Sequence, residues 1–473
     1  MQVLVLEAST TSAKAMCYDS QLGVVQVQGQ PYGEQVNKDG EHDVDGVFAA
    51  LVKIGAEVAQ GRDIDAVALV GTWHNMMLCD THARPITPAF TWVSTLGNHI
   101  TRKIRGDHGL TRKIFESTGC MVNSTYPLYK LMHLYESGME VGNCLVMGEN
   151  PQFFYRLTGE LATSRCSASG SGFLNIQTLD WSDIALELAH VKKSQFPAFT
   201  DDFGCAPLTE EAARLLGLRP GIPVVVGQAD GAMNQLGAGA LRKGCMTFSM
   251  GTSAAVRMAT EHSDLSNAMG TWCYYAPTTR LCGAATAGAT SCVDWFMDTM
   301  AGGKGYAELA AGLEIEKDAP YFMPFLYGER CPGWNDTRTG GFSGILGKHT
   351  VKHMYAAILE GTLFNIYQSY LCLEAFSGKP QEILISGGIV NSEEWLQMAA
   401  DLWQREMKVQ NTAQASMLGG TIMALKVLGE VQDITQTGAV GEIIRTVVPR
   451  PEMTERYQSR YEGYLKRYAV GES

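Results

Sequence analysis

The sequence predicts an α/β protein built from two similar domains. Strand-like and helix-like segments alternate through most of the chain, and short apolar runs that end in glycine are typical of buried strands, as at 65–71, 222–227 and 382–388. An internal echo is the second observation. "ASTTSAKAM" (8–16) and "MGTSAAVRM" (250–258) each combine a small-residue turn with an alanine-containing strand and a basic residue. Short echoes also arise by chance; a true one predicts two versions of one hairpin-led domain.

Length and charge limit the class of protein. The 473 residues correspond to two to four domains of ordinary size, and a hydrophobic fraction of 45% is ample for large cores. Acidic residues outnumber basic ones, 49 to 37, for a formal charge of -12. This balance argues against nucleic acid or an anionic membrane as the main partner. It leaves room for a small anionic ligand, which needs only local positive charge and backbone N–H groups.

Cysteine spacing and hydropathy predict a cytoplasmic protein. The 12 cysteines are scattered singly, without a metal-type spacing, and are expected to be reduced core thiols. No apolar run approaches the length that crosses a bilayer, and residues 1–20 lack the order of regions of a signal peptide.

Two turns are candidate phosphate sites. The first, "STTS" (9–12), lies between Glu7 and Lys14, and the second is "MGTS" (250–253). Hydroxyl and backbone N–H donors in a tight arc suit phosphate oxygens, although the glycine spacing and the ending of a Walker loop are absent. Each turn alone is better explained as a hairpin turn that is rich in turn-forming residues.

Asp230 stands after the strand-like run at 222–227, where a helix can begin. One interpretation is a helix N-cap. The other is a base at the carboxyl end of a strand, where open α/β sheets bind ligands and where a helix terminus would keep the carboxylate ionised.

Three further segments carry clear patterns. "LISGGIVNSEEW" is a strand, a Gly-Gly turn and a helix start; the glycines either admit a flat ligand or make a tight connection. The apolar residues Trp395, Met398, Ala399 and Leu402 have helical spacing, which predicts an amphipathic helix over 391–409. A long helix is expected to begin near Thr350, after a glycine-rich strand.

Taken in order, these segments resemble the FGGY family of carbohydrate kinases. "GGFSGILGKHTVKHMYAAILE" (340–360) fits the family's carboxyl-terminal signature, and "TYPLYKLMHLYES" (125–137) fits its amino-terminal one except at His133, where tryptophan is usual. The match runs from about residue 1 to 430. It implies two ribonuclease-H-like domains, as in actin and hexokinase, with ATP and sugar meeting in the cleft between them. We place these domains at 1–241 and 242–473.

Within the family, several segments resemble the gluconokinase branch: "SGFLNIQTLDW" (171–181), "GQADGAMNQLG" (227–237), "GTSAAVR" (251–257) and "FLYGERCPGWND" (325–336). His74 matches the family's substrate-side histidine, six residues before Asp80. Gluconate carries a carboxylate, so cationic partners would suit the pocket. Arg257 and Arg330 are the candidates, with structural ion pairs as the alternative for either.

The resemblance implies a role for each matching residue. Asp230 would accept the proton of the sugar hydroxyl that attacks the γ-phosphorus of ATP. Mg²⁺ would bridge phosphate oxygens near Glu7 and Asp230. The phosphates would be held by Thr10, Thr11, Ser12, Lys14, Gly251, Thr252 and Ser253, the adenosine by Gly387, Gly388 and Asn391, and the substrate by His74, Trp73, Trp92, Asp230, Arg257 and Arg330.

The sequence also departs from the family pattern. Glu7 and Ser9 replace the aspartate and glycine of the first hairpin, and Ser9 would cost roughly 1–2 kcal/mol if that position required a left-handed backbone. On the sugar side, "WVSTL" keeps Trp92 but has Ser94 and Leu96 where charged residues are usual.

These observations predict an ATP-dependent kinase of a sugar or sugar acid, with gluconate as the first candidate and 6-phosphogluconate as its product. A kinase for xylulose or another pentulose or polyol is the same-class alternative. A protein that binds nucleotide or sugar without phosphoryl transfer is the other-class alternative, and the retained Asp230 argues against it. The sequence leaves a monomer and a homodimer both open.

Overall fold

The chain is described by a computed structural model that covers residues 1–313, 315, 318–411, 413–436 and 441–470. Two mixed β-sheets form its framework, one of six strands and one of seven. All strands of the first sheet precede Asp230, and all strands of the second follow Gly244.

The first part of the chain contains β1 (Gln2–Ala8), β2 (Ser12–Asp19), β3 (Gly23–Pro31), β4 (Asn37–Lys38), β5 (Glu41–His42), α1 (Val44–Ala59), β6 (Ala66–Gly71), β7 (Met77–Cys79), β8 (Ala89–Phe90), α2 (Asn98–Arg105), α3 (His108–Thr118), α4 (Pro127–Glu136), β9 (Leu145–Met147), α5 (Glu149–Thr158), β10 (Ala162–Thr163), α6 (Arg165–Ser169), α7 (Asp183–Leu188), β11 (Ala198–Phe199), β12 (Cys205–Pro207), α8 (Glu210–Leu216), β13 (Pro223–Ala229) and α9 (Asp230–Gly237).

The second part contains β14 (Cys245–Met250), β15 (Ala254–Thr260), β16 (Trp272–Ala276), β17 (Thr279–Thr286), α10 (Thr290–Thr299), α11 (Tyr306–Ala310), β18 (Tyr321–Met323), β19 (Gly341–Ser343), α12 (Val351–Ser377), β20 (Glu382–Ser386), α13 (Glu393–Trp403), β21 (Met407–Gln410), α14 (Ala415–Val427), β22 (Ile443–Val447) and α15 (Thr454–Val470).

The two sheets repeat one topology. In the first, the β1–β2 hairpin is antiparallel, and β6 and β13 follow in parallel to β1. In the second, the β14–β15 hairpin is antiparallel, and β20 and β21 follow in parallel to β14. An antiparallel strand closes each sheet beyond the parallel strands, β12 in the first and β22 in the second. The repeat confirms the predicted two-domain α/β fold and explains the echo in the sequence. The boundary between 241 and 242 stays a prediction.

The strand β1 shows how the first core is built. Its residues Val3 to Leu6 are all fully buried, and alternate residues enter different apolar clusters, Val3 and Val5 on one face and Leu4 and Leu6 on the other. Strand side chains alternate between faces, so a continuous apolar run requires cover on both. Helix α1 contacts β1 from the first part of the chain, and α14 contacts it from the second.

Helices α9 and α14 cross in backbone contact. A Cβ atom on Gly237 would lie 1.9 Å from the carbonyl oxygen of Ala415, and one on Gly419 would lie 2.1 Å from the carbonyl oxygen of Met233. Only glycine leaves room for so close an approach. The crossing therefore fixes the start of α9 relative to the start of α14.

The predicted helix over 391–409 is correct at its centre and wrong at its end. Helix α13 stops at Trp403, because Gln404 has a left-handed backbone with a φ of 49°. Met407–Gln410 instead forms β21 between β20 and β22. The apolar positions named above are buried as expected, and the long helix α12 begins directly after Thr350, as predicted.

Two further expectations concern the whole chain. Its cysteines are free thiols and nearly all are buried, which agrees with the prediction of reduced core thiols. Among the described residues, none of the helices combines the length and hydropathy that a membrane span needs.

The helix crossing gives a first prediction. Gly419→Ala should lower the free energy of unfolding by about 1–3 kcal/mol, because the added methyl group forces apart two backbones that are in contact. Denaturant and thermal unfolding, followed by circular dichroism, measure the change. Gly142→Ala is the matched control, since a Cβ there meets nothing within 4 Å. Equal stability of the two variants would show that α9 and α14 separate without cost.

Candidate active site

A cavity of about 430 Å³ lies where the two domains meet. It is lined by residues from both sheets and from the helices that follow them. The predicted site residues that it brings together are Glu7, Thr10, Lys14, Trp73, His74, Trp92, Asp230, Ser253, Arg257 and Arg330. The predicted site residues that do not line it are Thr11, Ser12, Gly251, Thr252, Gly387, Gly388 and Asn391.

Glu7 is held from both domains. It lies opposite Lys14 across the β1–β2 hairpin, and the Lys14 ammonium donates to Glu7 Oε1 at 3.0 Å. The hydroxyl of Ser416, in the first turn of α14, donates to Glu7 Oε2 at 2.5 Å. The buried carboxylate is therefore fixed through both of its oxygens.

The turn of the first hairpin is closed by its own serines. The Ser9 backbone N–H donates to the Ser12 carbonyl at 3.0 Å, and the Ser9 hydroxyl lies 2.8 Å from the same oxygen. The strain considered for Ser9 does not arise, because the positive-φ residues other than glycine do not include it. A serine therefore fits this position with an ordinary backbone.

Thr10 has its polar groups oriented by three neighbours. Its carbonyl accepts from Asn37 Nδ2 at 2.8 Å and from His42 Nε2 at 2.9 Å. Its hydroxyl oxygen accepts from the Trp92 indole N–H at 2.9 Å. The Thr10 hydroxyl can still donate its own proton. Because Thr10 lines the cavity, a group bound there could accept that hydrogen bond. Thr11, by contrast, is exposed at the tip of the turn.

The second hairpin repeats this closure with one residue fewer. The Gly251 backbone N–H donates to the Ser253 carbonyl at 2.9 Å, and the Gly251 carbonyl accepts from the Thr290 N–H at the start of α10. Gly387 lies against the end of β14, since a Cβ there would approach the Met250 carbonyl oxygen to 2.5 Å. The Gly-Gly turn and the second hairpin are therefore neighbours, with Asn391 exposed at the end of the following 3₁₀ turn.

Asp230 is the first residue of α9 rather than its N-cap, which is Ala229. Its Oδ1 accepts from the Gly231 backbone N–H at 2.7 Å and from the Trp73 backbone N–H at 3.3 Å. Among the described residues no donor reaches Oδ2. Burial, and then the charge of Glu7, raise the pKa of Asp230 to about 6. Such a carboxyl can accept a proton near neutral pH.

His74 and Trp73 form the wall beside Asp230. His74 has a φ of 64°, which places its Nδ1 2.5 Å from the Gly170 carbonyl oxygen, to which it must donate. Burial lowers the pKa of His74 to about 3, so its ring is neutral and Nε2 is an acceptor. The Trp73 indole donates to the Cys166 carbonyl at 2.8 Å, and its ring packs 5.0 Å from that of Tyr274.

Arg257 and Arg330 bring two cations to the same cavity. Neither guanidinium has a carboxylate within ion-pair distance in the described part of the chain, and the Nε of each is buried without a hydrogen bond. Burial lowers the pKa of Arg257, and the charge of Asp230 partly opposes this effect. The alternative of structural ion pairs therefore has no partner among the residues that are described.

The donors at Glu7 and Asp230 fit a magnesium ion. Mg²⁺ takes hard oxygen ligands and is commonly bound by one or two carboxylates together with substrate phosphates. Burial and then the charge of Glu7 raise the pKa of Asp230, so a cation near both carboxylates would favour their ionised forms. Phosphate oxygens would supply further ligands.

Ser416 is a site residue that the sequence patterns did not indicate. Other residues that line the cavity and were not predicted include Asn234, Ser249, Trp272 and Tyr274. Helix α14 follows β21 as α9 follows β13, so Ser416 occupies in the second domain nearly the position of Asp230 in the first. The echo in the sequence covers only the two hairpins, so this correspondence becomes visible only in the sheet topology.

The raised pKa gives a prediction for the free protein. The Asp230 carboxyl should titrate near pH 6, and Glu7→Gln should shift this pKa down toward its usual range, because the neighbouring charge is removed. Carboxyl ¹³C NMR measures both. Asp80 is the internal control. Backbone hydrogen bonds lower its pKa, and the charge of Glu7 does not contribute to that shift. An unchanged Asp230 titration in Glu7→Gln would show that the two carboxylates do not interact.

Comparisons with known proteins identify the family of the chain. Gluconokinase of Bacillus subtilis is 27% identical over 91% of this chain and 88% of its own, and xylulose kinase of the same organism is 26% identical over 92% and 89%. The crystal structure of gluconate kinase from Lactobacillus acidophilus has the same fold, with a TM-score of 0.92 at 24% identity, covering 100% of this chain and 99% of that one. Residues 2–237 and 246–427 match the N-terminal and C-terminal domains of one family. The chain belongs to the FGGY family of carbohydrate kinases.

Proposed function

We propose that this kinase transfers the γ-phosphoryl group of ATP to a terminal hydroxyl of a sugar acid, with gluconate as substrate and 6-phosphogluconate as product. The observation that carries the proposal is the pair of guanidinium groups, Arg257 and Arg330, that face the cavity without a described carboxylate partner. Buried cations are unfavourable unless paired, and a substrate carboxylate would pair them through charge-assisted hydrogen bonds. The similarity to gluconokinases supports the same choice.

A kinase for xylulose or another pentulose or polyol is the second candidate. The similarity to xylulose kinases is almost as high as that to gluconokinases. Ser94 and Leu96, which stand where the family has charged residues, also favour a less polar substrate on that side. A neutral sugar, however, would leave both arginines unpaired. The non-catalytic alternative is disfavoured because the chain is a carbohydrate kinase by family and keeps Asp230.

Asp230 is the proposed general base. Its Oδ1 is engaged by two backbone N–H groups, so Oδ2 is the oxygen that takes the proton of the attacking hydroxyl. The bond from the oxygen of the substrate hydroxyl to the γ-phosphorus forms as the bond from the γ-phosphorus to the bridging oxygen of the β-phosphate breaks, and ADP leaves. His74 would orient the sugar by accepting a hydroxyl hydrogen bond at Nε2, and Trp73 and Trp92 would flank the sugar.

The two hairpins are the proposed phosphate site. The Thr10 hydroxyl and the Lys14 ammonium lie on the first side of the cavity, and Ser253 lies on the second. Thr11, Ser12, Gly251 and Thr252 would contribute from the adjoining turns after the domains close. The Gly387–Gly388 turn, beside the second hairpin, would admit the adenosine, with Asn391 at its edge.

Mg²⁺ would be held by Glu7 and Asp230 together with phosphate oxygens, and it supplies positive charge to the transferring phosphoryl group. Closure of the domains would exclude water, which otherwise competes for that group.

The cellular setting is also part of the proposal. The free, mostly buried cysteines support a reducing compartment, and we place the protein in the cytoplasm. A homodimer is an alternative to a monomer.

The base assignment predicts that Asp230→Asn folds and binds ATP but transfers phosphate at least about a hundredfold more slowly, because the proton acceptor is removed. The rate of ADP release measures phosphoryl transfer, and the dissociation constant of ATP measures binding. In the native enzyme, kcat/KM should fall as pH drops through about 6, where Asp230 becomes protonated. Asp80→Asn, outside the cavity, is the control. Full turnover in Asp230→Asn would remove Asp230 from the mechanism.

The substrate assignment predicts that Arg257→Met and Arg330→Met each raise KM for gluconate about tenfold or more, the scale of a charge-assisted hydrogen bond. Arg219→Met is the control, since Arg219 is an exposed partner of Asp63. A panel of sugar acids, ketoses and polyols with Mg-ATP tests the substrate class through ADP release. Turnover of xylulose but not of gluconate would contradict the proposal.

A further inference from the structure

His42 is a buried histidine behind the first hairpin, outside the cavity. Its side chain is 0% exposed, and its ring bridges the phosphate hairpin to α5. Nδ1 lies 2.8 Å from Glu149 Oε1, and Nε2 lies 2.9 Å from the Thr10 carbonyl oxygen. A carboxylate and a carbonyl both accept hydrogen bonds, and a neutral imidazole has a single N–H. Both contacts are satisfied together only when the His42–Glu149 pair carries one extra proton.

We propose that protonated His42 is a positioning residue of this kinase, which holds the Thr10 carbonyl so that the first hairpin presents its hydroxyl to the nucleotide phosphates. The inference rests on the proposed role of that hairpin. It assigns His42 no contact with substrate.

The surroundings favour the charged ring. Burial opposes the charge, but the hydrogen bond to Glu149, the charge of Glu149 and the Thr10 carbonyl outweigh it and raise the pKa of His42. Tyr32, at the end of β3, meets the ring edge-on at 5.4 Å, and burial raises its own pKa, so it stays neutral. Glu41 and Asp43 flank His42 in the chain, but neither is among the causes that shift its pKa.

Deprotonation would release the hairpin. The neutral ring keeps a single N–H, which the Glu149 carboxylate holds on Nδ1. The Nε2 lone pair would then face the Thr10 carbonyl oxygen, and that hydrogen bond would be lost. Asn37 would be left as the remaining donor to the Thr10 carbonyl. The pKa of His42 is raised above the ordinary pKa of a histidine. The hydrogen bond from His42 to the Thr10 carbonyl is therefore fully formed when the pH is below the ordinary pKa, and it is lost as the pH rises through the raised pKa. Nucleotide affinity should therefore weaken on the alkaline side.

The test measures the ring and the ligand separately. In ¹⁵N-histidine NMR of the native protein, both ring nitrogens of His42 should be protonated at pH 6 without any ligand. Calorimetric titration with ADP between pH 6 and 9 should show affinity falling about tenfold, the scale of a hydrogen bond to a charged group. His42→Gln, whose amide donates without titrating, should bind ADP with little dependence on pH.

His99→Gln is the matched control. His99 is 60% exposed beside Glu136, and this variant should keep the native pH dependence. A neutral His42 ring at pH 6, or a native pH dependence in His42→Gln, would overturn the inference while leaving the kinase proposal intact. Absence of ADP binding at every pH would instead overturn the proposed phosphate site, and the inference with it. If His42→Gln does not fold, the protonation of His42 measured by NMR in the native protein still tests the inference.

Discussion

The contact between α9 and α14 is the constraint on which the site depends. These helices come from different parts of the chain and cross through Gly237 and Gly419 without intervening side chains. Helix α9 begins with Asp230, and the first turn of α14 holds Ser416, which donates to Glu7. A wider crossing would draw Ser416 away from Glu7 and release the Oε2 oxygen of that carboxylate. Burial, and then the charge of Glu7, raise the pKa of Asp230, so the position of Glu7 bears on that carboxyl as well.

The charges in the cavity are arranged unevenly. Glu7 is neutralised by Lys14 and fixed by Ser416, whereas Asp230 accepts only backbone hydrogen bonds among the described residues. Arg257 and Arg330 contribute positive charge, and among the described residues no carboxylate lies within ion-pair distance of either. A free protein with such a cavity keeps groups unsatisfied that only ligands can complete. That property separates a binding site from a structural ion-pair network, in which the partners are already present.

The fold could be predicted well from the sequence, because its signals are local. Apolar runs ending in glycine mark buried strands, and the echo of the two hairpins reflects a repeated topology. The end of α13 was missed because Val409 stands seven residues after Leu402, at helical spacing, whereas the left-handed Gln404 and the pairing of β21 end the helix earlier. The residues that line the cavity were found where a family pattern exists. Ser416 and His42 were not, because each acts through a partner far away in the chain, and no local pattern encodes such a contact.

The position of α14 has a consequence for biosynthesis. Helix α14 packs on β1 and β6, and Gly420 lies against Val5 and Val70 of those strands. The hydrogen bond between Ser416 and Glu7 spans 409 residues of sequence. A nascent chain therefore cannot complete the core of its first sheet until nearly the whole polypeptide has left the ribosome. Until then, the face of the first sheet that α14 covers stays exposed to solvent, in a state that chaperones would recognise.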